Sequence, residues 1–190
     1  MKEVLIIDNY DSFTYNLVQL VYECSGNDPK VVKNDRLRTL DFDHYEHVII
    51  SPGPGLPKQS GDLIWAVDKL IKKHKVLGIC LGLQAIAEVC GQTLVQLETV
   101  QHGIKETINL IRPETLIYKN INAQFEVGRY HSWIVESGTS ASELKVDCLG
   151  SDGTIMGMSH ATRPVFGVQF HPESIMTPDG QIIMRNFLNI

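Results

Sequence analysis

No stretch of this sequence carries an apolar run approaching membrane-spanning length, its lysines and arginines never gather into a run, and its four cysteines contain no C-x-x-C pair. The first absence argues against a membrane protein, and Val4-Leu5-Ile6-Ile7, directly after Met1-Lys2-Glu3, is too short for a signal-peptide core. A cytosolic protein is expected. The second argues against a nucleic-acid partner, as does the excess of 22 acidic over 17 basic residues, which sets the net charge at −5 and the pI near 5.8. The third, with no histidines at zinc-like spacing from Cys24, Cys80, Cys90 or Cys148, leads us to expect neither disulfides nor structural metal. Internal repeats, low-complexity tracts and interdomain linkers are also missing. With 190 residues, 43% of them hydrophobic, the chain is expected to form one domain over 1–190 with a sizeable core.

What is present alternates strand and helix. Val4 to Ile7, Val31-Val32, Val48 to Ile50 and Val76 to Ile79 are short apolar runs of the kind buried on both faces of a parallel sheet. Between them lie helical patterns. One, with Phe13, Leu17, Leu20 and Val21 on a face, follows Asp11 and Ser12 as possible caps; another, with Leu63, Ile64, Val67, Leu70 and Ile71, follows Asp62. The expected fold is α/β: a flavodoxin-like, doubly wound, mostly parallel sheet with helices on both faces. Beyond Gly91 the pattern turns β-rich (Thr93 to Val95, Thr107 to Ile111, Ile155 to Met158), which predicts antiparallel additions in the C-terminal half. Val165 to Phe170 reads as the last strand, and Thr177-Pro178 as the start of a C-terminal helix.

Three loops fall at strand ends, where open α/β sheets bind ligands. In Gly78-Ile79-Cys80-Leu81-Gly82 a strand turns sharply into a helix that runs to Gly91, a nucleophile elbow with sulfur in place of oxygen. The elbow is expected to push Cys80 out toward solvent. A helix N-terminus, with unpaired N–H groups and the positive end of the dipole, is a favourable place for negative charge, and the nucleophilic form of a thiol is the thiolate. The second loop, Pro52-Gly53-Pro54-Gly55, forbids regular structure and bares N–H groups suited to an oxyanion. The third is His171-Pro172-Glu173, whose proline stiffens a turn between an imidazole and a carboxylate. Thiol, imidazole and carboxylate are the parts of a nucleophile, general base and orienting acid.

Ser51-Pro52-Gly53-Pro54-Gly55, Gly78-Ile79-Cys80-Leu81-Gly82-x-Gln84 and Phe170-His171-Pro172-Glu173 together resemble the class I (triad) glutamine amidotransferases. Asp8-Asn9-Tyr10-Asp11-Ser12-Phe13-Thr14 and Arg129-Tyr130-His131-Ser132 narrow the resemblance to the glutaminase subunits of anthranilate synthase and aminodeoxychorismate synthase. The resemblance implies that Cys80 attacks the glutamine side-chain amide, with His171 moving protons and Glu173 orienting it. It also implies an oxyanion hole from the N–H groups of Gly53 and Leu81. Pro54 belongs to the same loop as Gly53, and Gly55, Gln84, Ser132 and Trp133 match the family's glutamine-binding positions. No cofactor or metal is implied. The partner implied is a chorismate-binding synthase subunit, which would receive ammonia from L-glutamine. His131 is expected to pack or hydrogen-bond locally.

Three positions depart from the family's usual residues. Leu83 stands where His or Met is commoner, Trp133 where Leu is, and His102-Gly103-Ile104-Lys105 where the pattern is His-Gly-Lys. The last lies in the family's partner-facing segment; the first two bear on substrate packing. Other readings stay open: a glutaminase subunit serving both synthases, a free-standing γ-glutamyl hydrolase, or a binding module whose Asp8-to-Thr14 turn cradles a phosphate.

Overall fold

Apolar runs with no polar alternation need cover on both faces, and the fold supplies it. The computed structural model describes residues 3–138 and 143–190. Its strands and helices in chain order are β1 (Glu3–Asp8), α1 (Thr14–Ser25), β2 (Lys30–Lys33), β3 (Tyr45–Ile50), α2 (Leu63–Leu70), β4 (Lys75–Ile79) and α3 (Leu81–Val89). There follow β5 (Leu94–Leu110), β6 (Gln124–Val135), β7 (Leu144–Leu149), β8 (Ile155–His160), β9 (Val165–Val168) and α4 (Gly180–Leu188). One nine-stranded sheet runs in the order β2-β1-β3-β4-β9-β8-β7-β5-β6. The first five strands are parallel; β8 reverses against β9, and β7, β5 and β6 continue antiparallel.

Strand alternation splits the core into two layers. Leu5, Ile7, Val48, Ile50 and Val76 point to the face covered by α2 and α3, whereas Ile6, Ile49, Leu77 and Ile79 point to the face covered by α1 and α4. The doubly wound sheet with antiparallel additions is therefore as expected.

The helix starts differ from the sequence reading. Asp62 precedes α2 but makes no capping bond, because its carboxylate accepts from Arg38 Nε at 2.9 Å. Asp11 accepts from the Phe13 N–H at 2.7 Å, a turn ahead of α1 rather than a cap on it. Thr177 does not cap α4, which begins after Asp179. Its hydroxyl instead donates to the His171 carbonyl at 2.7 Å and accepts the Gly128 N–H at 3.1 Å, stapling the His171 loop to β6. A hydroxyl prefers a nearer unpaired carbonyl to a distant helix end, and composition alone does not reveal which is nearer.

Candidate active site

The strands β3, β4 and β9 are neighbours, so their carboxyl ends bring the three expected loops side by side. The elbow follows from crowding. A methyl group on Gly82 would stand 2.6 Å from the Ile50 carbonyl oxygen, and one on Gly78 would overlap the Gly82 backbone. Only two glycines let α3 press onto β3 and β4 this closely. Between them Cys80 takes φ 51° and ψ −102°, a conformation that L residues rarely adopt and that nucleophile elbows share.

Cys80 is 6% exposed, which corrects the expectation that the turn pushes it into solvent. Its sulfur faces instead a cavity of about 280 Å³, lined also by Gly53, Pro54, Gly55, Gln84, Ser132 and Trp133, all expected from sequence, and by Gln96, Tyr130 and His131.

Gly53 is held against the elbow. A methyl on it would lie 2.8 Å from Leu81 Cδ2 and 2.6 Å from Asn9 Cβ. Asn9 braces the whole loop: its N–H donates to Ser51 Oγ at 2.9 Å, its side-chain amide donates to the Ser51 carbonyl at 2.8 Å, and Asn34 donates to its Oδ1 at 3.0 Å. Asp8 accepts from the Tyr10 N–H and from Thr14 Oγ1, so the polar turn after β1 spends these groups on internal support. Among the described residues, neither the Gly53 N–H nor the Leu81 N–H donates to a protein acceptor. Two N–H groups beside a thiol are thus free to bind an oxyanion.

His171 and Glu173 lie behind the sulfur. His171 Nδ1 and Glu173 Oε1 are 2.7 Å apart, and the Glu173 side chain is fully buried. Phe13 and Tyr130 set their rings edge-on to the imidazole, with centroids at 5.7 and 4.9 Å. Nε2 makes no hydrogen bond at rest, as is common before substrate arrives. Burial opposes charge on the ring, but interaction with Cys80 and the bond to Glu173 outweigh it, raising the pKa to about 10. Burial pushes Cys148 up to about 12 and raises Cys24 and Cys90, so these three remain thiols at neutral pH.

Gln84 is 3% exposed; its Nε2 donates to the Trp133 carbonyl at 2.9 Å and to Gln169 Oε1 at 3.2 Å. His131 accepts from Arg129 Nε at 3.2 Å, the local bond expected of it, while also lining the cavity. Burial, then the Arg129 charge, lower its pKa to about 4, so it is neutral at pH 7. Leu83, expected to bear on substrate packing, lies in the core, where a methyl on Gly167 would stand 3.0 Å from its Cβ. Ile104 is 42% exposed, next to a bulge at Gly103 in β5.

Gln169 is the residue the sequence reading missed. It is fully buried, and its Nε2 lies 3.4 Å from the Cys80 sulfur. A signal existed: one polar side chain in the apolar run Val165 to Phe170 has to find a partner inside the protein. Among the described residues no cluster of His, Cys, Asp and Glu is arranged to hold a metal, and no helix is long and apolar enough to cross a membrane.

An α/β sheet ending at adjacent strands in a thiol on an elbow, an imidazole and a carboxylate has the constellation of the triad enzymes. The amidotransferases that use glutamine form one family within that class. The chain belongs to it: the family model for glutamine amidotransferase class-I matches residues 5–190. It is 40% identical over 196 residues to anthranilate synthase component 2 of Saccharolobus solfataricus, covering 100% of this chain and 99% of that one. It is 38% identical over 187 residues to aminodeoxychorismate/anthranilate synthase component 2 of Bacillus subtilis, covering 97% and 95%. Against the bifunctional protein TrpGD of Thermotoga maritima, 37% identical over 193 residues, the chain spans only 32% of the relative's length. Among solved structures, a Thermoplasma acidophilum chain provisionally described as belonging to a GMP synthase superposes with TM-score 0.86 at 27% identity, covering 100% of this chain and 93% of that one.

Proposed function

We propose that this chain is a cytoplasmic glutaminase subunit, one amidotransferase unit over residues 1–190, that hydrolyses L-glutamine and passes the ammonia to a chorismate-using synthase subunit. The observation that carries the reading is the buried His171–Glu173 pair at 2.7 Å beside a thiol held at φ 51°. Cys80 attacks the side-chain carbonyl of glutamine. His171, which its raised pKa keeps protonated at neutral pH, delivers the Nε2 proton to the departing nitrogen, so that ammonia leaves and a γ-glutamyl thioester forms. Water, activated by the now neutral Nε2, then cleaves the thioester, which frees glutamate, releases the Cys80 sulfur and returns the proton to His171. The Gly53 and Leu81 N–H groups hold the developing oxyanion, each such donor being worth roughly 10²–10³ in rate. Pro54, Gly55, Gln84, Ser132 and Trp133 bind the amino-acid end of the substrate.

The synthase is most simply anthranilate synthase, from the names of the relatives; the Bacillus subtilis relative carries the names of both synthases, which supports sharing between the two as the second reading. The test has two arms. A glutamine analogue with an electrophile at the side-chain carbon should label Cys80 and spare Cys24, Cys90 and Cys148. Cys80→Ser should abolish glutamine-dependent product in the complex and leave ammonium-dependent product intact. Equal labelling of all four thiols, or turnover of glutamine by Cys80→Ser, would refute the assignment.

A further inference from the structure

Cys80 and Gln169 are neighbours by sheet register. Ile79 pairs with Val168 across the parallel strands β4 and β9, and the Cys80 N–H donates to the Val168 carbonyl at 2.8 Å, so the next step of the ladder sets Cys80 beside Gln169. The Gln169 N–H donates to the Met156 carbonyl at 3.0 Å, which fixes its backbone against β8. Gln169 and His171 are two residues apart in the segment that follows β9. Both act on the sulfur of Cys80.

The orientation of the Gln169 amide follows from a chain of constraints. A backbone carbonyl can only accept, so the contact at 2.9 Å between Gln84 and the Trp133 carbonyl makes the Gln84 atom its NH₂ group. The second hydrogen of that group then points to Gln169 at 3.2 Å, where it requires an oxygen. The remaining end of Gln169, facing sulfur at 3.4 Å, is its NH₂ group. Reversing either amide would set two donors against each other in a region where Gln84 is 3% and Gln169 0% exposed.

We infer that Gln169 is a further catalytic residue, donating a hydrogen bond to the Cys80 sulfur, and that Gln84 orients it, so that the glutamine pocket and the nucleophile are joined through two side-chain amides. This rests on Cys80 being the nucleophile. An N–H aimed at sulfur stabilises the thiolate and keeps the sulfur on the cavity side of its strained backbone. Gln84 therefore has two duties: one amide end is committed to Trp133 and Gln169, and its other end is left for the substrate.

The test uses free protein and iodoacetamide, a reagent small enough for the cavity and lacking any glutamine-like group, with Cys80 alkylation followed by peptide mass spectrometry across pH. Gln169→Met, nearly the same length and without a donor, should slow Cys80 alkylation at pH 7 by at least about fivefold, move its midpoint to higher pH and lower kcat more than it raises KM. Gln84→Leu should shift the same profile in the same direction with no glutamine present, which a residue serving only as a substrate ligand would not do. The double variant should be no worse than Gln169→Met alone, as expected for residues acting in one chain. An unchanged profile in either single variant overturns the inference. Should Gln169→Met fail to fold, Gln84→Leu decides the matter by itself. Cys80→Ser is assayed in parallel: retained glutamine turnover there sinks the functional reading, whereas inactive Cys80→Ser with unshifted Gln169→Met sinks only this inference.

Discussion

At the scale of single residues, the site divides labour between groups that touch reacting atoms and groups that hold them. In the proposed mechanism His171 moves protons and Glu173 holds it, so His171→Ala should lower kcat by at least about 10²-fold, the usual worth of a positioned acid–base group, and Glu173→Ala should cost less. Steady-state glutaminase assays on both variants check this, and a Glu173→Ala loss as large as that of His171→Ala would reverse the roles. The same scale governs acid stability. His131 has its pKa lowered to about 4, so between its ordinary value of about 6.5 and 4 the unfolded chain binds a proton that the folded chain refuses. Its contribution is whole above that window and is lost as pH falls through it. Asp147 is the opposite case: burial outweighs its bonds to Thr115 and Ser159 and raises it to about 6, so its folded form gains protons, and stability, as pH falls from 6 toward the ordinary carboxylate value. His131→Asn should flatten the decline in melting temperature from pH 6.5 to 4, and Asp147→Asn should steepen it. Parallel slopes in all three proteins would show that these groups do not govern acid unfolding.

At the scale of elements, the elbow depends on β3, β4 and α3 approaching more closely than side chains permit. Gly78→Ala puts a methyl into the Gly82 backbone, which cannot move aside as a flexible side chain would, so destabilisation by roughly 1–3 kcal/mol or more is expected from urea unfolding. A loss below about 0.5 kcal/mol, the range of an ordinary surface change, would mean the contact relaxes freely. The loop after β9 depends on Thr177, whose hydroxyl ties the His171 carbonyl to the Gly128 N–H. Thr177→Val keeps the shape and removes both bonds; kcat should fall by about fivefold or more, and Thr177→Ser should restore it. Equal activity in the valine variant would leave the positioning of His171 to Glu173, Phe13 and Tyr130.

At the scale of the molecule, a glutaminase working alone would release ammonia to water, where at neutral pH it is protonated and no longer nucleophilic. One loop, Gly53 to Gly55, lines the cavity beside Cys80, and Gly55, at φ 74°, is its freest part: a methyl group there would meet nothing nearer than Gln59 Oε1 at 3.5 Å. Gly53, wedged between Asn9 and Leu81, is not free in this way. We expect glutamate release by the isolated chain to rise by at least about tenfold, or roughly 1.4 kcal/mol of barrier, when a chorismate-binding synthase and chorismate are added. A chain already at full rate alone would favour the free-standing hydrolase.

The sequence by itself determined the alternation of strands and helices, the elbow and the three strand-end loops, because continuous apolar runs, glycine pairs and Pro-Gly clusters act through local chemistry that neighbours cannot easily override. Asp62 and Thr177, each beside a helix start, cap neither helix, because a polar side chain takes the nearest unmet partner, and nearness across 24 residues in Arg38–Asp62, or 49 in Gly128–Thr177, is a property of the folded chain. The burial of Cys80 was likewise decided only in three dimensions, where the loop after β3 and the strand β6 line the cavity beside an elbow whose own geometry points outward. Gln169 stood in plain view as one amide in an apolar strand. That its donor faces sulfur follows only from the sheet register that sets β9 beside β4 and from the Trp133 carbonyl that orients Gln84.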